Sequence, residues 1–292
     1  MGEDIVAFVA TKLIPAGLML IMFSLGMSLT PADFGRLAAR PKSAFAGLGG
    51  QLLLLPALGW VLAILFDLPP ALALSVIILA ACPGGVTSNA VVFTAKGDVA
   101  LSVTLTALSS TITIFTTPLL VAAGIEYFYQ DAMPPVMNVW DILKKLFMLS
   151  LLPLSFGMVA RAMKEDVTVK LVRYLRPTSF VILVLVIVFS LFTSLDLIFE
   201  NIVTAGPVVF LLNILSLGAG YYLGSILDLT NKERMTIGIE VGVQNATVAT
   251  FLSLAVLGTW ELAIIPTMYG CFMLINAGLF VRLLKAKAVQ SV

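Results

Sequence analysis

The apolar positions of this chain fall into long runs separated by short clusters of charged residues or by proline. A run of about 20 apolar residues is what a helix needs to cross the roughly 30 Å hydrocarbon core of a bilayer. Divided on that basis, the chain has candidate spans near 8–29, 43–66, 70–95, 98–124, 142–162, 177–198, 203–227, 235–257 and 261–283. They take up nearly all of the 292 residues, so no soluble domain is expected beside them. The fold class that follows is an all-α integral membrane protein of about nine transmembrane helices.

Charge patterning tests that number independently, because Lys and Arg collect in cytoplasmic loops. Arg36, Arg40 and Lys42 follow the first span, Lys96 the third, and Arg161, Lys164, Lys170, Arg173 and Arg176 the fifth. Lys232 and Arg234 follow the seventh, and Arg282, Lys285 and Lys287 the ninth. The alternate loops carry Asp67, then Glu126, Asp131 and Asp141, then Asp196 and Glu200, then Glu261. A multi-pass protein of the cell (inner) membrane is expected, with its N-terminus outside and its C-terminus cytoplasmic. Lys12, Lys144 and Lys145 lie near outer ends, where snorkelling accommodates them.

Composition agrees. Hydrophobic residues make up 60% of the chain and charged residues 11%, against roughly 25% charged in an ordinary soluble domain. Mean hydropathy is +1.08. The opening MGEDIVAF is acidic where a secretory signal is basic, so the first hydrophobic segment is expected to stay in the mature protein. A net charge of +1 gives no reason to expect a nucleic-acid partner. Cys82 and Cys271 both lie in apolar runs, which implies neither a disulfide framework nor a zinc motif. There is no histidine at all, which removes the Ser-His-Asp triad, the HExxH metalloprotease and the histidine proton relay together. An enzyme is not expected.

The unusual chemistry sits in two spans. The third carries Cys82-Pro83-Gly84-Gly85 in mid-membrane, where proline removes a backbone donor and two glycines loosen the chain. An interrupted helix is expected there, with Ser88 and Asn89 as caps for a new half-helix. The eighth contains Gly242-Val243-Gln244-Asn245-Ala246-Thr247, which shares a polar-Asn-Ala triplet with Val86-Thr87-Ser88-Asn89-Ala90-Val91. Since spans one to four and six to nine would enter the membrane with opposite polarity, the match suggests an inverted repeat. At 1.5 Å per residue, Asn89 lies roughly 10 Å from Lys96 and Asn245 roughly 16 Å from Arg234, so both reach the middle of the membrane. Two such breaks would aim positive helix N-termini at an anion and leave uncoiled carbonyls for a cation.

Glu240 is the carboxylate well inside a span, and its neighbours offer oxygens without a basic partner. A buried acid costs about 2.5–3.5 kcal/mol on insertion scales, so a small hard cation would suit it. Ser102, Thr106, Ser109 and Thr113 form one polar stripe on the fourth span. Gln51, behind Gly49 and Gly50, is a lone amide in the second.

The segments Pro83-Gly84-Gly85-Val86-Thr87-Ser88-Asn89, Val99-Ala100-Leu101-Ser102-Val103-Thr104-Leu105-Thr106 and Glu240-Val241-Gly242-Val243-Gln244-Asn245 closely resemble the bile acid:sodium symporter family. Gly26-Met27-Ser28-Leu29-Thr30-Pro31-Ala32-Asp33-Phe34 and Gln51 extend the likeness over nearly the whole chain. The resemblance implies a sodium-coupled symporter of a small organic anion, working by alternating access, with a core domain of crossing helices (about 70–124 and 203–283) and a panel domain (about 8–66 and 142–198). It also implies two sodium ions. Ser88, Asn89, Ser102, Thr106 and Glu240 would hold one. Gln51, Glu240, Gln244 and the carbonyls of Val241 and Val243 would hold the other. The anion would meet Asn89, Asn245, Asn276, Val86 and Thr87.

Two departures accompany the likeness. The chain resembles nine-helix animal members, without the first helix of ten-helix bacterial relatives. Val86 and Thr87 stand where bacterial bile-acid binders have Thr and Ala, and Ile275-Asn276 stands where a His-Asn pair is familiar. Pantoate-like or other small carboxylates therefore fit at least as well as a bile acid. The competing readings are a sodium-independent efflux carrier of the arsenite or auxin type, using Cys82, and a receptor or channel that transports nothing stoichiometrically. Oligomeric state is open.

Overall fold

The computed structural model describes residues 8–130, 138–193 and 195–290. Residues 1–7 and Asp131, which entered the charge argument, lie outside them. The described residues are helical almost throughout and contain no β-strand. Helix α1 (9–26) is followed by a short helix α2 (Pro31–Ala38), then by α3 (Pro41–Leu65), α4 (Pro70–Ala81), α5 (Val86–Ala95) and α6 (Val99–Phe128). The second half has α7 (Val139–Met163), α8 (Glu165–Thr193), α9 (Leu195–Ile226), α10 (Asn231–Gly242), α11 (Ala246–Val256) and α12 (Glu261–Ala286).

Every expected span has a helix; the third and eighth are each split in two, α4/α5 and α10/α11, and the span expected at 177–198 is shared by the end of α8 and the start of α9. Several helices outrun their apolar runs. The charged stretch around Lys170 and Arg173, expected as loop, forms the first turns of α8, and Asp196 and Glu200 open α9. A helix satisfies its own backbone wherever it lies, so it need not stop where hydrophobicity does. Helix α2 was not expected either. Its signal is Thr30-Pro31-Ala32-Asp33, a capping box in which the Thr30 N–H donates to Asp33 Oδ2 at 2.7 Å, with proline at the first helical position.

Two groups of helices pack closely. In the first, α1 lies against α7, and α8 covers both. Glycines set the spacing: a Cβ on Gly26 would stand 2.0 Å from Leu154 O, and one on Gly157 would stand 2.3 Å from Phe23 O. Small residues let membrane helices approach until their backbones touch. Arg161 ties the same pair by donating to Met27 O at 3.1 Å.

In the second group α4 packs on α6, α9 on α10 and α12, and α10 on α6. Helix α3 packs on α4, α6, α9 and α10. Large apolar side chains such as Leu53, Phe115, Leu119 and Tyr222 remain exposed on the outside, as helices facing lipid require. Lys145, expected to snorkel, donates to Ala255 O at 3.0 Å and so meets the last turn of α11, where a cation is favoured.

Candidate functional site

Helix α4 stops at Ala81 because Pro83 cannot continue the ladder, and α5 begins at Val86. Helix α10 stops at Gly242 and α11 begins at Ala246. The residues between are extended, with ψ of 159° at Cys82, 140° at Gly85 and 97° at Val243. Each break supplies what the other lacks. Gly85 N donates to Val243 O at 2.8 Å and Asn245 N donates to Pro83 O at 3.0 Å, forming an antiparallel bridge between Gly84 and Gln244. Non-helical backbone at this depth persists only where protein satisfies it.

Side chains hold the remaining carbonyls. Ala81 O accepts from Thr117 at 2.6 Å and Cys82 O from Gln51 at 2.9 Å. Gly242 O accepts from both Asn213, 2.7 Å, and Tyr269, 2.8 Å. Thr117, Asn213 and Tyr269 went unmarked in the sequence. Asn213 was findable by the signal that marked Gln51, a polar side chain alone in an apolar run, whereas Thr117 is one of many hydroxyls on its span.

The Glu240 carboxylate is buried beside the crossing. Oε1 accepts from Ser88 and Ser102, and Oε2 accepts from Thr106 at 2.8 Å. Ser102 Oγ also lies 2.7 Å from Asn89 Oδ1, and Thr106 Oγ1 lies 3.0 Å from Ser102 O. Three hydroxyl protons thus serve five close oxygen–oxygen approaches. The ion pairs found among the described residues, Arg40–Asp98 and Arg161–Glu165, lie elsewhere. This is an oxygen cluster short of positive charge, and it fits a small hard cation.

Gln51 and Gln244 face one another as a buried amide pair. Gln51 Nε2 donates to Gln244 Oε1 at 2.8 Å, and Gln244 Nε2 donates to Gln51 Oε1 at 3.1 Å and to Val241 O at 2.7 Å. The Val243 carbonyl is engaged by Gly85 N. The pair adjoins the carboxylate at Gly84, where a Cβ would lie 3.2 Å from Glu240 Oε2 and 3.8 Å from Gln51 Oε1. Every residue expected to meet an ion therefore lies at or beside the crossing.

The anion candidates are less united. Asn89 is half-buried and turned to Ser102. Asn245 is buried and caps α11, its Oδ1 accepting from Val248 N at 3.2 Å. Thr87 Oγ1 and Asn276 Nδ2 are buried without a hydrogen-bond partner, and Val86 is half-buried. Unpaired buried polar atoms are rare enough in folded proteins to ask for a ligand or a reason.

Three expectations are corrected. Ser88 and Asn89 do not cap α5, whose N-cap is Gly85; they lie inside its first turn, which turns them toward α6. Asn89 and Asn245 are consequently not equivalent, since only Asn245 is an N-cap. The hydroxyl stripe also divides: Ser102 and Thr106 reach the carboxylate, whereas Ser109 and Thr113 bond their own helix at Thr106 O and Ser109 O.

Residues 15–201 match the model of the Sodium Bile acid symporter family. An uncharacterized sodium-dependent transporter of Bacillus subtilis is 31% identical over 240 residues, covering 81% of this chain and 72% of that protein. A probable chloroplastic sodium/metabolite cotransporter of Arabidopsis thaliana is 32% identical, covering 81% of this chain and 58% of that protein. The human ileal sodium/bile acid cotransporter is 24% identical over 287 residues, covering 95% of this chain and 80% of that protein. With a family model across most of its length and a bacterial relative above 30% identity, the chain belongs to the sodium bile acid symporter family.

Proposed function

We propose that the chain is a sodium-coupled symporter that carries a small organic anion across the cell membrane by alternating access, with its N-terminus outside and its C-terminus cytoplasmic. The observation that carries this reading is the shortage of protons around Glu240, where hydroxyl, amide and carboxylate oxygens crowd together. Sodium would relieve it. Ser88, Asn89, Ser102, Thr106 and Glu240 would hold one ion, and Gln51, Gln244, Glu240 and the carbonyls of Val241 and Val243 a second. The printed names of the relatives, sodium-dependent, sodium/metabolite and sodium/bile acid, support sodium as the coupling ion.

The anion would approach the starts of α5 and α11, each presenting about half a positive charge, with Asn89, Asn245, Thr87, Val86 and Asn276 near it. Small carboxylates of the pantoate type fit at least as well as bile acids. Alternating access would proceed by rocking α1, α7 and α8 against the remaining helices. Helix α3, grouped with the panel on sequence, belongs with the crossing helices on this proposal, because its neighbours are α4, α6, α9 and α10 and its Gln51 supports the break.

The test is uptake into proteoliposomes of a panel of labelled organic anions, with inward sodium or potassium gradients. Uptake of at least one anion should require sodium. Uptake of arsenite that ignores sodium and depends on Cys82 would replace this reading with an efflux carrier.

A further inference from the structure

A helix that ends inside a membrane must place the carbonyls of its last turn without water. For α10 and its C-cap these include Val241, Gly242 and Val243. Two of them are used at the crossing itself: Val241 O by Gln244 and Val243 O by Gly85 N. The carbonyl between them is held from outside the crossing by two donors on two other helices, Asn213 of α9 and Tyr269 of α12. Both side chains are completely buried. Two donors fill both lone pairs of a carbonyl, so the Gly242 peptide plane has no freedom to turn.

The other break is built to the same plan. There Gln51 of α3 holds Cys82 O and Thr117 of α6 holds Ala81 O. In the inverted order of the two halves, α3 corresponds to α9 and α6 to α12. Each break is therefore held by an amide from the second span of its half and a hydroxyl from the fourth. Gln51 reaches past its carbonyl to Gln244, whereas Asn213, one methylene shorter, ends at Gly242 O.

We propose that Asn213 and Tyr269 are positioning residues for cation binding: by locking the Gly242 carbonyl they fix the directions of the flanking Val241 and Val243 carbonyls and the place of Gln244. The inference rests on the ion-binding reading of the Glu240 and Gln51 clusters. It extends that reading to two residues that touch neither the carboxylate nor the amide pair.

The test uses the full chain purified in detergent and sodium chloride titrated against potassium chloride at constant ionic strength, with thermal stabilisation as readout. Tyr269→Phe removes a single oxygen, and Asn213→Asp replaces the donor by an acceptor of the same shape. Each should raise the half-saturating sodium concentration about tenfold, the usual effect of removing a group that orients a metal ligand. Ser75→Ala is the control, since it also removes a buried hydroxyl-to-carbonyl bond, to Leu262 O at 2.6 Å, a carbonyl that belongs to neither break. It should lower the melting temperature and leave half-saturating sodium where it was. If Asn213→Asp does not fold, Tyr269→Phe decides alone. Parent-like half-saturation in Tyr269→Phe, with the response of Glu240→Ala abolished, overturns the positioning role while leaving the ion site standing. A parent-like response in Glu240→Ala overturns both.

Discussion

Gly85 N donates to Val243 O across the crossing at 2.8 Å, and this contact joins two segments more than 150 residues apart in the chain. Because Val243 lies three residues from Glu240 and Gly85 three from Ser88, the same contact brings a carboxylate within reach of hydroxyls on a different half-helix. The backbone pairing and the oxygen cluster are one construction. Anything that pushes the breaks apart should dismantle both.

Gly85→Ala tests this directly. Its Cβ would stand 2.6 Å from Gln244 O and 3.0 Å from Gln244 C, a clash with backbone that side-chain rotation cannot relieve. The expected cost is about 1–3 kcal/mol or more from overpacking, with loss of the sodium response. Gly49→Ala, where a Cβ meets nothing within 4 Å, should be neutral or stabilise helix α3 by about 0.5–1 kcal/mol. Melting curves with and without sodium distinguish the two.

Glu240→Ala should remove sodium-dependent stabilisation altogether. At sodium about 100 times its dissociation constant, mass action gives the parent about 2.7 kcal/mol, so the difference is easily measured as a shift in melting temperature. A mutant that still responds like the parent would place the ion elsewhere.

Gln51→Ala and Thr106→Ala should act on separate ions, since Gln51 touches Gln244 and Thr106 touches Glu240 Oε2. Each should weaken sodium dependence, and the double variant should exceed either. Sodium titration of uptake is the measurement, and a Hill coefficient near one in the parent would argue against two coupled ions.

Asn245 has two separable roles. Its side chain caps α11, so Asn245→Ala should lose about 1 kcal/mol of stability while Asn245→Ser keeps most of the cap. Both remove the amide proposed for the anion and should weaken anion affinity to a similar extent, measured by calorimetry at saturating sodium. Anion affinity unchanged in both variants would remove Asn245 from the substrate site.

At the membrane surface, Asp98 accepts from Leu101 N at 3.0 Å as the cap of α6 and from Arg40 at 2.8 Å. Arg40 is exposed, so its pair is worth about 0.2–1 kcal/mol and should weaken with salt. Arg40→Ala should therefore barely move the melting temperature. Asp98→Ala should cost about 1 kcal/mol more than Arg40→Ala, through the cap.

The sequence by itself determined the solvent of each segment. Hydrophobic runs, Lys and Arg clusters and the Pro83-Gly84-Gly85 interruption are local properties, and a bilayer sorts them segment by segment. Glu240, Gln51, Ser102 and Thr106 stood out for the same reason, as polar groups that an apolar run must explain. Only the tertiary structure decided where their hydrogen bonds go. That Asn213 and Tyr269 converge on Gly242 O, that Asn245 caps a helix while Asn89 turns to Ser102, and that α3 packs against α4, α6, α9 and α10 are facts about how distant segments pack. A freed carbonyl in mid-membrane requires a donor, and its own stretch of chain says only that the requirement exists. Which helix meets it depends on contacts as close as those at Gly26 and Gly157, set by side-chain shape across the whole bundle.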